Sequence, residues 1–186
     1  NNAIVGGSAG MTGAAHLAAM AALRCGGGLV HCVLPEGAGS EKPYPEVIAV
    51  TAPGEGGRFT AASRTPLFDG TSGFAATVLG PGLGRADDTL LVARELLALD
   101  KPLLIDADGL AALGARPELL AERTAPTVIT PHEGELGRLL GVPAADVAAL
   151  RLDSARSAAS RSDATVVLKG EATIVADPSG AVYVVP

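Results

Sequence analysis

The sequence predicts one α/β domain spanning residues 1–186: a mostly parallel central sheet flanked by helices, incomplete at both ends. Three observations carry the prediction. Short, nearly continuous apolar runs recur, such as Leu29 to Leu34 and Thr127 to Ile129, and a strand apolar on both sides belongs in a parallel sheet covered on both faces. These runs alternate with stretches of helical period. Glycine or acidic turns follow where the runs end, and no internal repeat or linker divides the chain.

Composition agrees. The chain has 186 residues, 48% of them hydrophobic and 18% charged, which is ample material for one core. Aromatic residues are 3% and tryptophan is absent, so the core must come from Ala, Val, Leu and Ile. The net charge of −6, with no Lys/Arg cluster, excludes a nucleic-acid surface. No apolar run is long enough to span a membrane and no signal peptide is present, so a cytoplasmic protein is expected. Cys25 and Cys32 read as two buried, reduced thiols without metal-ligand spacing.

Taken in order, Ala3 to Val5 is a first strand and Gly6 to Gly13 a glycine-rich turn. Ala14 to Cys25 is a helix apolar nearly all round, broken only by His16 and Arg24, which implies burial on more than one side. Gly26-Gly27-Gly28 ends it, and Leu29 to Leu34 is a strand. Gly37 to Pro45 is loop, Val47 to Val50 a short strand, and Gly54 to Gly73 irregular. Ala75 to Leu79 is a strand leading into Gly80-Pro81-Gly82-Leu83-Gly84. Asp88 to Leu99 is an amphipathic helix, with Asp87 and Asp88 where its dipole prefers acids. Pro102 to Ile105 is a strand ending in Asp106-Ala107-Asp108-Gly109-Leu110, with short helical pieces to Ala121.

Thr127 to Ile129 then runs into Thr130-Pro131-His132-Glu133-Gly134-Glu135-Leu136, a strand turning directly into a helix. Here Thr130 reads as the N-cap, Pro131 as the first helical residue and Glu133 as the capping-box partner, with His132 in the first turn. Asp146 to Ser162 reads as one further helix. Ala164 to Leu168, Ala172 to Ala176 and Ala181 to Val185 are three consecutive strands, joined by Lys169-Gly170-Glu171 and by the turn Asp177-Pro178-Ser179-Gly180.

Four of these turns, Gly6 to Gly13, Gly80 to Gly84, Asp106 to Asp108 and Thr130 to Glu135, fall at predicted strand ends, and in a parallel sheet such ends share one edge where ligands bind. Thr130 to Glu135 sets His132 at that edge, or is only a well-capped helix start with His132 incidental. Gly6 to Gly13 is neither a Walker A loop nor the dinucleotide fingerprint, because Ser8 stands where the first glycine belongs. Gly80-x-Gly82-x-Gly84 admits close backbone approach to an anion, or is plain punctuation before a helix. Asp106 and Asp108 can hold Mg²⁺ through water, or cap the next helix. Lys169 to Thr173 offers an ammonium, open backbone and a hydroxyl suited to a nucleotide, or is a hairpin whose lysine reaches solvent. Together they point to a phosphate-bearing small-molecule site.

Five motifs in this order, Gly6 to Ala15, Gly80 to Gly84, Asp106 to Leu110, Thr130 to Glu135 and Lys169 to Thr173, resemble the ADP-dependent NAD(P)H-hydrate dehydratases. These form a branch of the ribokinase-like superfamily, often fused to an epimerase domain that is not among these residues. The resemblance runs through essentially the whole chain and implies a three-layer ribokinase-like fold. It implies repair of NADH or NADPH hydrated on the nicotinamide ring, with ADP and Mg²⁺ driving loss of water through phosphorylation of the ring hydroxyl. By resemblance, Ala14, Gly82, Gly84 and His132 contact the hydrated cofactor, with Asp106 near substrate or metal. Lys169, Gly170, Glu171, Ala172 and Thr173 hold the AMP portion of the nucleotide. A homo-oligomer, a tetramer by resemblance, and an epimerase as domain or partner are further expectations.

The family places its catalytic Asp in a Gly-Thr/Ser-Gly-Asp turn after the last hairpin, and no Gly-x-Gly-Asp occurs in residues 1–186. By resemblance the catalytic Asp is expected to lie beyond Pro186. The expectation is therefore a piece of a longer enzyme, inactive as it stands. The alternatives are a ribokinase-like kinase of a vitamin precursor and a non-catalytic nucleotide-binding module.

Overall fold

A computed structural model describes residues 1–39 and 44–186. The predicted loop Gly37 to Pro45 lies partly outside the described residues. Nine strands form one sheet in the order β3-β2-β1-β4-β5-β6-β7-β8-β9: β1 (Asn2–Val5), β2 (Val30–Pro35), β3 (Ile48–Ala52), β4 (Ala76–Leu79), β5 (Leu103–Ile105), β6 (Thr127–Ile129), β7 (Thr165–Leu168), β8 (Thr173–Ala176) and β9 (Val182–Val185). The first seven run parallel. The last two are antiparallel additions. The described helices are α1 (Thr12–Arg24), α2 (Arg64–Ser72), α3 (Asp87–Leu96), α4 (Asp108–Ala111), α5 (Glu133–Leu140), α6 (Ala144–Ala149) and α7 (Arg151–Ser162). None is long and apolar enough to cross a membrane.

The strand order sets the position of the site. From β1 the chain proceeds outward to β2 and β3, then returns to place β4 on the other side of β1. The order therefore reverses between β1 and β4, and the crevice beyond their carboxyl ends is where such sheets bind ligands. The turns that follow these two strands are Gly6 to Gly13 and Gly80 to Gly84.

Adjacent residues of one strand serve opposite faces. Val5, Leu79, Ile105, Ile129 and Val166 line the larger core with α2 to α7 residues such as Leu67, Leu96, Leu110, Leu136 and Ala159. Ile4 packs instead with Cys32, Leu34, Ala15 and Ala19, beneath α1. Cover on this second face is uneven. Along the paired row Ile4, Val78, Leu104 and Val128, Ile4 is buried and the other three are half-buried.

Four expectations are corrected. Within this chain helix α1 is buried on one side only: His16 is 4% exposed whereas Leu17 is 63% exposed, because the stripe of Ala15, His16 and Ala19 meets the sheet. Gly54 to Gly73 contains α2; Pro66, Gly70 and the Ser/Thr content depress helix propensity there, and burial of Leu67 and Thr71 overrides it. Asp146 to Ser162 is two helices, because Leu150 leaves helical geometry at φ −129°, ψ 49° and re-aims the chain between α6 and α7. Of the cysteines, Cys32 is buried but Cys25, just past the end of α1, is exposed.

Candidate functional site

The turns at the strand carboxyl ends are tied into one edge by bonds that start in the glycine segments. In the turn after β1, the Gly7 N–H donates to the Pro81 carbonyl at 2.8 Å and the Ser8 hydroxyl to the Gly82 carbonyl at 2.9 Å. Ser8, which spoils a dinucleotide fingerprint, thus fastens the first turn to the second. Helix α1 begins here with no acidic residue in its first turn and with Gly13 and Ala14 exposed. Its unpaired N–H groups and positive dipole end face the edge.

The second turn depends on glycine geometry. Gly80 has φ 122° and lies against the Asp106 carbonyl, leaving no room for a Cβ. That approach brings the third turn alongside: the Gly84 N–H donates to Asp108 Oδ2 at 3.0 Å, and Arg85 Nε donates to Asp108 Oδ1 at 2.6 Å. Asp108 is therefore committed to the neighbouring turn and to Arg85 rather than to a water-bridged metal. Between the two aspartates, Ala107 has φ 51°, ψ −121°, a left-handed conformation that costs a residue with a Cβ about 1–3 kcal/mol.

The turn after β6 differs in register from the sequence prediction. His132, not Thr130, is the N-cap of α5, and Glu135, not Glu133, is the capping-box partner. The Gly134 N–H donates to His132 Nδ1 at 3.0 Å, and the His132 N–H donates to Glu135 Oε2 at 2.9 Å. An imidazole lone pair here replaces the usual side-chain oxygen, and that acceptor role leaves the neutral ring's proton on Nε2. Pro131 stays outside the helix and buried. The His132 side chain remains 55% exposed, with Nε2 3.6 Å from Glu135 Oε1.

The β7–β8 hairpin closes the edge. The Lys169 N–H donates to the Pro131 carbonyl at 2.9 Å. Lys169 Nζ lies 2.7 Å from Asp106 Oδ1 and 3.9 Å from Glu135 Oε2, a carboxylate only 7% exposed. One ammonium thus lies between two acidic side chains, one from the turn after β5 and one from the first turn of α5. Gly170 is packed against the Arg151 guanidinium, which occupies the space a Cβ would need. Arg151 also pairs with Glu133 and donates to the Ala172 carbonyl at 2.6 Å, joining α5 to the hairpin. Glu171 is exposed, and Thr173 begins β8 half-buried.

All ten predicted site residues therefore fall on this edge: Ala14 at the start of α1, Gly82 and Gly84 after β4, Asp106 after β5, His132 before α5, and Lys169 to Thr173 in the hairpin. Pro186 is exposed and follows β9, an edge strand of the sheet. Ser8, Glu135 and Arg151 are residues of the edge that sequence reasoning misses. Ser8 carries a faint signal as the odd residue of a glycine turn. Arg151 carries none, since an arginine inside an amphipathic helix reads as a solvated face. No group of three metal-ligating side chains exists among the described residues, so a Mg²⁺ ion here would rest on one or two carboxylates and on ligand phosphates. Asp106, on the rim, gives Oδ1 to Lys169, so its second carboxylate oxygen is the one that fits such a role, whereas both oxygens of Asp108 are engaged.

A family model described as NAD(P)H-hydrate dehydratase matches residues 2–186. The bifunctional NAD(P)H-hydrate repair enzyme of Moorella thermoacetica is 38% identical over 98% of this chain and 35% of its own length. The namesake enzyme of Mycobacterium tuberculosis is 39% identical with the same coverage. The chain thus spans about a third of the length of the curated relatives it matches. Among solved structures, the ADP/ATP-dependent NAD(P)H-hydrate dehydratase of Bacillus subtilis, crystallised with ATP/Mg²⁺ and soaked with CoA, superimposes with a TM-score of 0.76 at 28% identity. It covers all of this chain and 64% of its own. A ribokinase-like protein of Enterococcus faecalis gives a TM-score of 0.78 at 21% identity, a likeness of fold.

Proposed function

The chain belongs to the NAD(P)H-hydrate dehydratase family, and on that premise we propose that it forms the nucleotide-dependent dehydratase part of a nicotinamide-cofactor repair enzyme. The substrate is NADH or NADPH hydrated on its nicotinamide ring, and the phosphoryl donor is ADP with Mg²⁺. One observation carries the reading: Lys169, in the hairpin suited to a nucleotide, reaches Asp106 and Glu135 beside the open His132 ring. A nucleotide phosphate and a ring hydroxyl held by these groups would be neighbours.

The chemistry follows from the leaving group. Hydroxide leaves a ring carbon poorly and phosphate leaves well. ADP supplies its terminal phosphoryl group to the ring hydroxyl, releasing AMP; the C–O bond then breaks toward phosphate as the ring loses a proton. This chain's residues bind and orient. Lys169 offers charge to the nucleotide phosphates, and the exposed backbone at Gly170 admits the AMP portion. His132 Nε2–H is free to hydrogen-bond the hydrated ring, since Nδ1 is committed to Gly134. Ala14, Gly82 and Gly84 present backbone without bulk, and Asp106 fixes the Lys169 ammonium. The bifunctional character of the relatives supports a companion epimerase, and we place the enzyme in the cytoplasm as a homo-oligomer.

The test is the full natural protein with (S)-NADPHX, Mg²⁺ and ADP or ATP. Recovery of reduced-nicotinamide absorbance, with AMP and phosphate appearing in equal amounts from ADP, is expected. Failure with both nucleotides overturns the reading, and phosphorylation of a vitamin-precursor alcohol instead establishes the kinase alternative.

A further inference from the structure

A groove of about 300 Å³ opens between α4 and α5, directly beside the edge just described. Leu110, Ala111, Ala115 and Leu139 form its apolar walls, and Ala107 and Glu135 join it to the candidate site. Arg85 and Arg138 also line it. Arg138 is exposed, and among the described residues no acidic side chain pairs with it. Arg85 gives its Nε to Asp108 but remains 54% exposed, which leaves its terminal nitrogens open.

Two arginines line one apolar groove in a chain of net charge −6. Glu135 in the same lining is engaged by the His132 N–H and Lys169 and Asp108 holds Arg85 through Nε, so the guanidinium ends are the charged groups left to an incoming anion. Guanidinium groups bind phosphate oxygens in paired, planar fashion. The groove is also placed for one particular ligand. Arg85 directly follows Gly84, and Arg138 lies in the second turn of the helix that His132 caps, so the groove lies between the two loops proposed to hold the hydrated ring.

We propose that this groove is the subsite for the distal, phosphate-bearing half of the hydrated dinucleotide, with Arg138 and Arg85 facing its phosphates and the apolar walls taking its second nucleoside. This assignment rests on the dehydratase reading above. Phosphate can come from the pyrophosphate bridge, common to both hydrates, or from the 2′-phosphate that only NADPHX carries.

The test is Arg138→Ala in the full natural protein, beside Ala111→Trp, which fills the groove without touching charge. Arg138 is exposed and Ala111 half-buried at the groove wall, and unaltered thermal unfolding verifies the fold of each variant. We expect KM for the hydrate to rise about tenfold or more in each variant, with KM for ADP unchanged, and Arg138→Lys to recover part of the loss. A rise for NADPHX alone assigns Arg138 to the 2′-phosphate, and an equal rise for both hydrates assigns it to the pyrophosphate. Unchanged KM for both hydrates in both variants overturns the subsite while leaving the dehydratase reading intact. If the wild type turns over neither hydrate, the dehydratase reading fails on its own. NADP⁺ titration then judges the groove, a Kd unchanged by Arg138→Ala rejecting it.

Discussion

Lys169 Nζ and Asp106 Oδ1 lie 2.7 Å apart across 63 positions of sequence, tying the β7–β8 hairpin to the turn after β5. Each is partly exposed, at 44% and 28% of its side chain, so the pair contributes about 1 kcal/mol or less to stability. Its importance is positional, because it fixes a cation beside the buried Glu135.

Lys169→Ala should therefore weaken AMP and ADP binding about tenfold or more while lowering unfolding free energy by only about 1 kcal/mol. Isothermal titration set beside denaturant unfolding separates the two. Nucleotide affinity equal to wild type would leave Lys169 an ordinary hairpin lysine.

His132 caps α5, and that role is separable from the proposed contact with the hydrated ring. As an N-cap its loss to Ala should cost about 1 kcal/mol, and Ser, which caps with a hydroxyl, should restore most of that. Neither substitution restores an imidazole, so both should raise KM for the hydrated cofactor and spare ADP. If the Ser variant binds the hydrate as wild type does, His132 is only a cap.

Ala107 holds the Asp106–Asp108 turn in a left-handed conformation. Ala107→Gly removes the strain at some cost in unfolded-state entropy, for a net gain of about 1 kcal/mol and a Tm rise of about 2–4 °C. Ala107→Val should move Tm the other way. A lower Tm for the glycine variant, read by calorimetry, would show the turn to be unstrained.

The cysteines should part in reactivity. Burial pushes the Cys32 thiol from 9.0 up to about 11, so at pH 8 its thiolate fraction is about 100-fold below that of an ordinary thiol. Exposed Cys25 should alkylate first, and Cys32 only on unfolding, as peptide mass mapping would read. Stability follows the same sign. The folded state favours the neutral thiol, so this contribution is complete below about pH 9 and is lost as pH rises through about 11. Cys32→Ala should flatten that part of the stability profile.

Much was legible in sequence because its causes are local. Apolar runs of strand length located every strand of the sheet, and the paired turns showed where those strands end. Helix breaks were harder. Leu150 has no glycine or proline beside it, so only the packing of α6 and α7 shows that the helix stops there. The cap after β6 slipped by two residues because His132 caps through a ring nitrogen, which lies outside the usual capping alphabet, and because Pro131 offered a familiar helix start that the buried turn does not use.

The sequence by itself determined the class of fold, the set of loops at the strand carboxyl ends, and the residue types gathered at that edge. Each is a property of neighbours in the chain: periodicity, turn chemistry, the spacing of glycines. The tertiary structure alone decided that the order reverses between β1 and β4, that Ser8 fastens one glycine turn to the next, and that Arg151 packs on Gly170. It also decided that one lysine serves carboxylates from the turn after β5 and from α5. Those relations join residues dozens of positions apart, and no local pattern records a contact that exists only once the sheet has closed its order.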